Sequence, residues 1–205
     1  MEHIENTVTL RGELQSLPQF SHENHQKQLY SFTLAVRRLS GAVDLLPVIA
    51  ELGILQAMDL SGGEMLRVDG QIRSHNLRQN GVRRLLVFVF AASITAENGE
   101  PINEVTLCGP LCRTPIYRRT PLGREICDIM LAVPRAFRRA DYLPCILWGR
   151  TAGQIALCRT GDWVHLQGRM QSRVYTKLTD DGSEERTAYE ISALTAQPMG
   201  EDLEL

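Results

Sequence analysis

The sequence repeats itself. Asn6-x-Val8-x-Leu10-x-Gly12 returns as Asn103-x-Val105-x-Leu107-x-Gly109, an offset of 97. Phe32, Leu34, Ala35, Val36 and Arg38 recur at that offset as Ile129, Leu131, Ala132, Val133 and Arg135. Asp44, Leu46 and Pro47 recur as Asp141, Leu143 and Pro144. After one inserted residue Gly63, Gly70, Ile72 and Ser74 match Gly161, Gly168, Met170 and Ser172 at 98. A register kept over so many positions makes the chain two copies of one unit of about a hundred residues. Glu97-Asn-Gly-Glu-Pro101 is the turn-rich joint. The expected organisation is a first unit at 1–97, a second at 102–196 and a short tail at 197–205.

The unit reads as strands. In the second copy Val105 and Leu107, then Ile129, Leu131 and Val133, alternate with other residues, the period of a strand with one face in a core. A long Arg/Pro/Thr loop separates the two runs. Asp141 to Trp148 is apolar on both parities, with Leu143, Cys145 and Leu147 on one and Tyr142, Ile146 and Trp148 on the other. Such a strand is either buried on both faces or displays aromatics on its second. Thr151 to Cys158 has helical composition and stops before Gly161. A fourth strand sorts Val164, Leu166, Met170 and Val174 to one side, and His165, Gln167, Arg169, Gln171, Arg173 and Tyr175 to the other. Asp181-Gly182 supplies a turn, Ala188 to Ala193 pairs back, and Asn80-Gly81 marks the same hairpin in the first copy. The order predicts an all-β chain of two tandem OB-folds, five-stranded Greek-key barrels each with a helix between strands three and four.

Chemistry is excluded more readily than it is found. The five cysteines are an odd number confined to the second half, which suits reduced thiols better than a disulfide framework. Cys108 and Cys112 lack the spacing of a zinc knuckle and have no histidine pair beside them, so both are expected to be small buried apolar groups. There is no phosphate loop, HExxH or GxSxG, and the five histidines are scattered. No catalytic residue, metal or cofactor is expected. Asp141 and its counterpart Asp44 read as structural acids. No apolar run reaches the roughly 20 residues of a membrane span, and the acidic start lacks a secretory pattern, so the expected location is cytoplasmic.

The formal charge of −2 hides a division. From Asn103 to Lys177 twelve basic residues face five acidic ones, a net of +7; from Leu178 onward one faces eight, a net of −7. A basic barrel is the electrostatic footprint of phosphate contact. Nearly all of the positive charge is arginine, which forks onto phosphate and stacks on bases, although genomic base composition produces the same bias.

NEVTLCGPLCRTP, TPLGREICDIMLAV, DYLPCILWGRTA and GDWVHLQGRMQSRVY, followed by an acidic turn and AYEIS, resemble a bacterial single-stranded DNA-binding protein of the OB-fold type. The likeness covers Asn103 to Ala193 and is weak in the first copy. It implies nonspecific single-strand binding in replication, recombination and repair, with association with the nucleoid. It also implies stacking roles for Phe137, Tyr142, Trp148 and Tyr175. Each base stacked on an aromatic contributes about 1–3 kcal/mol and tolerates any base. Arg118 and Arg119 in the first loop, Arg138 and Arg139 beyond the second strand, and Arg169 and Arg173 on the fourth are the matching phosphate candidates. Trp163 reads as structural; Tyr117 and Phe20 either cap a groove or cover an edge.

The first copy has lost this set: Ser40, Leu45, Glu51 and Leu77 stand where the second has Phe137, Tyr142, Trp148 and Tyr175. Exposed leucines there favour association. The first barrel is therefore expected to support assembly of a homodimer presenting four barrels, while its own arginines still permit peripheral contact with DNA. The short acidic tail is either a reduced recruiting tip for replication and repair enzymes or a solvated end. A primosome-like protein–protein adaptor, with DNA secondary, is the competing function.

Overall fold

Alternation of apolar and polar side chains turns one face of each strand inward, and in both halves of the chain those faces close on themselves. The computed structural model describes residues 5–79, 82–179 and 182–199. The first barrel comprises β1 (Glu5–Leu14), β2 (Gln19–Asn24), β3 (Lys27–Arg37), β4 (Val43–Glu51), α1 (Leu52–Leu55), β5 (Met65–Gln79) and β6 (Val82–Ala96). The second repeats them as β7 (Ile102–Pro110), β8 (Ile116–Arg119), β9 (Glu125–Arg135), β10 (Arg139–Trp148), α2 (Gly149–Ile155), β11 (Trp163–Thr179) and β12 (Gly182–Pro198).

The ring of the first barrel runs β1–β5–β6–β4–β3 and closes where Glu13 and Leu14 meet Ala35 and Leu34. The second runs β7–β11–β12–β10–β9 and closes through a bridge from Leu111 to Leu131. Each ring contains one parallel contact, Val48 beside Val89 and Cys145 beside Ile191. These are two OB-folds, with one addition to the expected five strands. β2 and β8 lie outside the rings as the two edges of a shared sheet, β8 within the Arg/Pro/Thr stretch expected to be loop.

Leu10, Leu34, Leu46, Leu66 and Ile72 fill the first barrel, and Leu107, Leu131, Leu143, Leu147 and Met170 the second, all fully buried. The repeated motif residues hold this packing in place. Asn6 donates to the Ile72 carbonyl and accepts from its N–H, both at 2.8 Å; Asn103 does the same to Met170 at 2.7 and 2.9 Å. Gly70 and Gly168 sit where the hairpins β5–β6 and β11–β12 slip register by one residue. A Cβ there would strike the carbonyl oxygen of Phe90 or Ser192, so only glycine allows the strands to bend tightly enough to close.

Some expectations are corrected. Val174 is exposed, because β11 and β12 continue beyond the barrel as a two-stranded arm with no core beneath them. Cys112 is exposed as well, lying past the Leu111 bridge where the chain leaves the barrel, while Cys108 is buried. All five cysteines are free. The second helix begins at Gly149, earlier than Thr151, since that glycine takes φ 57 and turns the chain directly out of β10. Gln197 and Pro198, assigned to the tail, still pair with His165 and Val164 in β12. The turn residues Asn80, Gly81 and Asp181 lie outside the described residues.

The barrels join through a two-fold relation. β1 and β7 pair antiparallel with Val8 opposite Val105, its own repeat equivalent. A local dyad therefore passes through that pair, and the main contacts across it come as mirrored pairs. Asp44 and Asp141, both fully buried, reach across in opposite directions. Asp141 accepts from the Ser74 N–H at 2.7 Å, and the Tyr142 N–H donates to the Ser74 hydroxyl at 2.8 Å. Asp44 accepts from the Ser172 N–H at 2.8 Å, and the Leu45 N–H donates to the Ser172 hydroxyl at 3.2 Å. Guanidiniums complete each clasp. Arg38 lies 2.5 Å from Asp44, and Arg73 and Arg135 lie 3.4 and 3.3 Å from Asp141. Arg11 pins the joint by binding Glu97 and the Glu100 carbonyl.

Asp141→Ala is expected to lower unfolding free energy by about 3 kcal/mol, the low end for breaking a buried ion pair, because Arg73 and Arg135 keep some contact with water. Ser74→Ala, which removes only a hydroxyl acceptor, is expected to cost about 1 kcal/mol. Guanidinium unfolding midpoints compare the two; equal midpoints for wild type and Asp141→Ala would show that the clasp adds nothing.

Candidate nucleic-acid interface

β10 carries two exposed aromatic side chains. Its inward residues Leu143, Cys145 and Leu147 are buried in the barrel, which sends Tyr142 and Trp148 outward by strand parity. They are 45% and 41% exposed, while Ile146 between them is covered. The strand is thus neither buried on both faces nor wholly open on its second. Six residues of extended chain set the two rings about 20 Å apart. Phe137 continues the line at the β9–β10 hairpin tip.

That tip is strained. Phe137 takes φ 60, ψ 37 and Arg138 φ 54, the left-handed region, which costs a side-chain-bearing residue about 1–2 kcal/mol. The first barrel meets the same turn with Gly41 at φ 85. Phe137 is 93% exposed.

The basic residues fall into groups. Arg118 bonds Asp128 at 2.8 Å and Arg119 bonds Glu125 at 3.1 Å, so the β8 edge is largely neutralised. The Tyr117 hydroxyl and Arg119 together hold the Glu125 carboxyl below its ordinary range, which makes Tyr117 part of this edge network. Arg138 and Arg139 have no acidic partner among the described residues. Arg173 stacks over Tyr175 at 5.8 Å and lies 3.7 Å from Glu190. Arg169 sits at the clasp, where burial first and then the nearby Arg38 guanidinium push its pKa down. Arg73 behaves alike through burial and Arg135.

The arms are exchanged across the dyad. Ser172 of the β11–β12 arm is fixed to Asp44 and Leu45 of the first barrel, so Tyr175, three residues on, projects from an arm lying across that barrel. Reciprocally, the β5–β6 arm lies against Asp141 and Tyr142, with Arg73 over the Phe90 ring at 5.9 Å. Farther along, Arg84 acts on the Tyr189 hydroxyl of β12, which burial has raised. The structure brings Phe137, Tyr142 and Trp148 into one line on β9–β10 and places Tyr175 and Arg173 on the arm. Sequence reasoning gave Ser74 and Ser172 no role, although their match across the repeat, together with that of Asp44 and Asp141, was the available signal.

The first barrel has the same geometry with other chemistry. Leu45 and Leu77, 47% and 36% exposed, stand where Tyr142 and Tyr175 stand, the latter 38% exposed. Glu51, at the Trp148 position, is tied to Lys27 at 2.9 Å. Beside them Glu23, Gln26 and Gln28 line an open polar cleft. Carboxylates repel phosphate and leucine has no π-face, so this surface offers neither stacking nor charge attraction. Phe20 packs edge-on against Tyr30 and serves the β2 edge. No His/Cys/Asp/Glu group suited to a metal occurs among the described residues, and no helix there is long and apolar enough to cross a membrane.

Residues 102–199 match the Single-strand binding protein family. Single-stranded DNA-binding protein B of Bacillus subtilis (strain 168) is 40% identical over 80 residues, covering 36% of this chain and 71% of that protein. The single-stranded DNA-binding protein of Oceanobacillus iheyensis is 34% identical over 95 residues, covering 43% of this chain and 56% of the other. The crystal structure of wild-type single-stranded DNA binding protein from Thermus aquaticus is similar over 98% of this chain and 96% of its own, with a TM-score of 0.80. At 22% identity that likeness speaks for the fold, tandem barrels included.

Proposed function

The chain belongs to the single-strand binding protein family, a family of binders and not of enzymes, and from that premise we propose that its second barrel binds single-stranded DNA without sequence preference. The observation that carries this reading is the pair Tyr142 and Trp148, nearly half exposed on the outer face of β10, a strand that starts at Arg139 directly after Arg138, two residues with no acidic partner among the described residues. Bases stack on the rings and phosphates meet the guanidiniums, so any sequence fits. Such coating protects single strands during replication, recombination and repair, in the cytoplasm at the nucleoid. Tyr175 and Arg173 extend the path across the dyad, and the β5–β6 arm adds Arg78 and Arg84 on the Tyr142 side. The acidic tail to Leu205 is the candidate contact for replication and repair enzymes.

Titration of the full chain with oligo-dT is expected to quench Trp148 emission strongly, and duplex DNA weakly. Trp148→Ala with Tyr175→Ala is expected to weaken binding by at least tenfold, the loss of about two stacked bases at the low end. Equal affinity for duplex, or an unaltered double variant, would sink the groove assignment.

The ion pairs rank the arginines. Each phosphate contact removed lowers the slope of log affinity against log salt by about 0.7 for a single strand. Arg138→Gln with Arg139→Gln is expected to lower it by more than one, and Arg118→Gln with Arg119→Gln by less, because the latter pair is already neutralised by Asp128 and Glu125. A reversed order refutes the assignment.

The first barrel's role in this reading is assembly. Val43 and Leu45 make its β4 face apolar where the second barrel has Tyr142, and Leu77 does the same on its arm, surfaces suited to burial against a second copy so that a dimer presents four barrels. Light scattering at micromolar concentration is expected to give the dimer mass; a monomer there removes this part of the reading.

A further inference from the structure

Phe137 departs from the other aromatics in exposure and in backbone. Tyr142 and Trp148 lie on the sheet with about half their surface covered, whereas Phe137 has both ring faces open. Its backbone and that of Arg138 are left-handed where the first barrel uses Gly41. The fold gains nothing from this phenylalanine, because at 93% exposure it packs against almost nothing. A ring resting on protein offers one face and stacks on one base; a ring free on both sides can enter between two. The tip is also the end of the line from Trp148 through Tyr142, one end of the strand path proposed above. Arg138 and Arg139 follow Phe137 directly in the chain, without acidic partners among the described residues, and supply charge for the phosphates of an opened step.

We propose that the β9–β10 tip is a wedge which inserts Phe137 into the terminal base step where single-stranded DNA meets duplex, so that the protein recognises and frays single-strand/duplex junctions. This rests on the single-strand reading above and adds a second DNA form to it. A duplex end suits the wedge because its last pair stacks on one side only and opens most readily. The strained turn holds the ring away from the sheet, where it cannot collapse onto β10.

The test uses the full chain with a DNA hairpin stem carrying an oligo-dT tail, 2-aminopurine in the pair next to the tail, and the oligo-dT tail alone as reference. Wild type is expected to bind the tailed stem more tightly than the tail and to raise 2-aminopurine emission as the pair unstacks. Phe137→Ala is expected to lose the rise and to reduce the preference for the tailed stem about fivefold or more, the equivalent of one stacked face. Phe137→Asn with Arg138→Gly, residues suited to a left-handed turn, is expected to raise the melting temperature by about 3 °C and still lose the preference. A preference kept by either variant overturns the wedge. So does an equal loss on tail and tailed stem in Phe137→Ala, which would make Phe137 an ordinary stacking platform. Wild type that binds the tail but leaves 2-aminopurine emission unchanged overturns the wedge and spares the single-strand reading, whereas failure to bind the tail overturns that reading itself.

Discussion

Two buried carboxylates govern how this molecule is put together. A carboxylate removed from water is unfavourable by several kcal/mol unless hydrogen-bond donors and positive charge surround it. Neither Asp44 nor Asp141 finds enough of them in its own barrel. Each takes a backbone N–H from the other barrel's arm, Ser172 for Asp44 and Ser74 for Asp141. The acids are satisfied only when the barrels meet in one orientation, so the two clasps fix the angle between barrels that the β1–β7 pairing alone leaves free to twist.

The consequence reaches the proposed binding surface. Tyr142 follows Asp141 directly and gives its own N–H to Ser74, so the clasp and the proposed stacking strand share two consecutive residues. Ser172 precedes Arg173 and Tyr175 on the other arm. The dyad thus places one part of the aromatic set on a barrel face and another on an arm crossing the neighbouring barrel. The first barrel, though it lacks the stacking side chains, still borders the proposed site, because its arm lies against Tyr142.

The two barrels also separate what folding needs from what binding needs. Asn6, Gly70, Asp44 and Ser74 recur as Asn103, Gly168, Asp141 and Ser172, each with the same bond or close approach in its copy. Leu45, Glu51 and Leu77 differ from Tyr142, Trp148 and Tyr175 while holding matching strand positions, with near-equal exposure in the two pairs compared. The outward face of an OB-fold strand rests on solvent, so its chemistry changes without disturbing the core. The Phe137 turn shows the opposite balance, an unfavourable backbone retained where the first barrel has a relaxed one.

Period-two alternation and the 97-residue offset were enough to read two OB-folds and the inner and outer faces of β10, because a strand buried on one face must write that burial into every second residue. The extra edge strands β2 and β8 escaped, since a fully exposed edge has no such pattern to write. Val174 was misplaced for a related reason: the alternation of β11 continues past the point where the barrel beneath it ends. The neutralisation of Arg118 and Arg119 arises in the β8–β9 hairpin and was hidden with the edge strand itself; the seat of Arg169 at the clasp and the exchange of arms were decided by tertiary structure alone. They depend on which groups meet across sequence separations of up to 128 residues, and no local period or composition records a partner that distant.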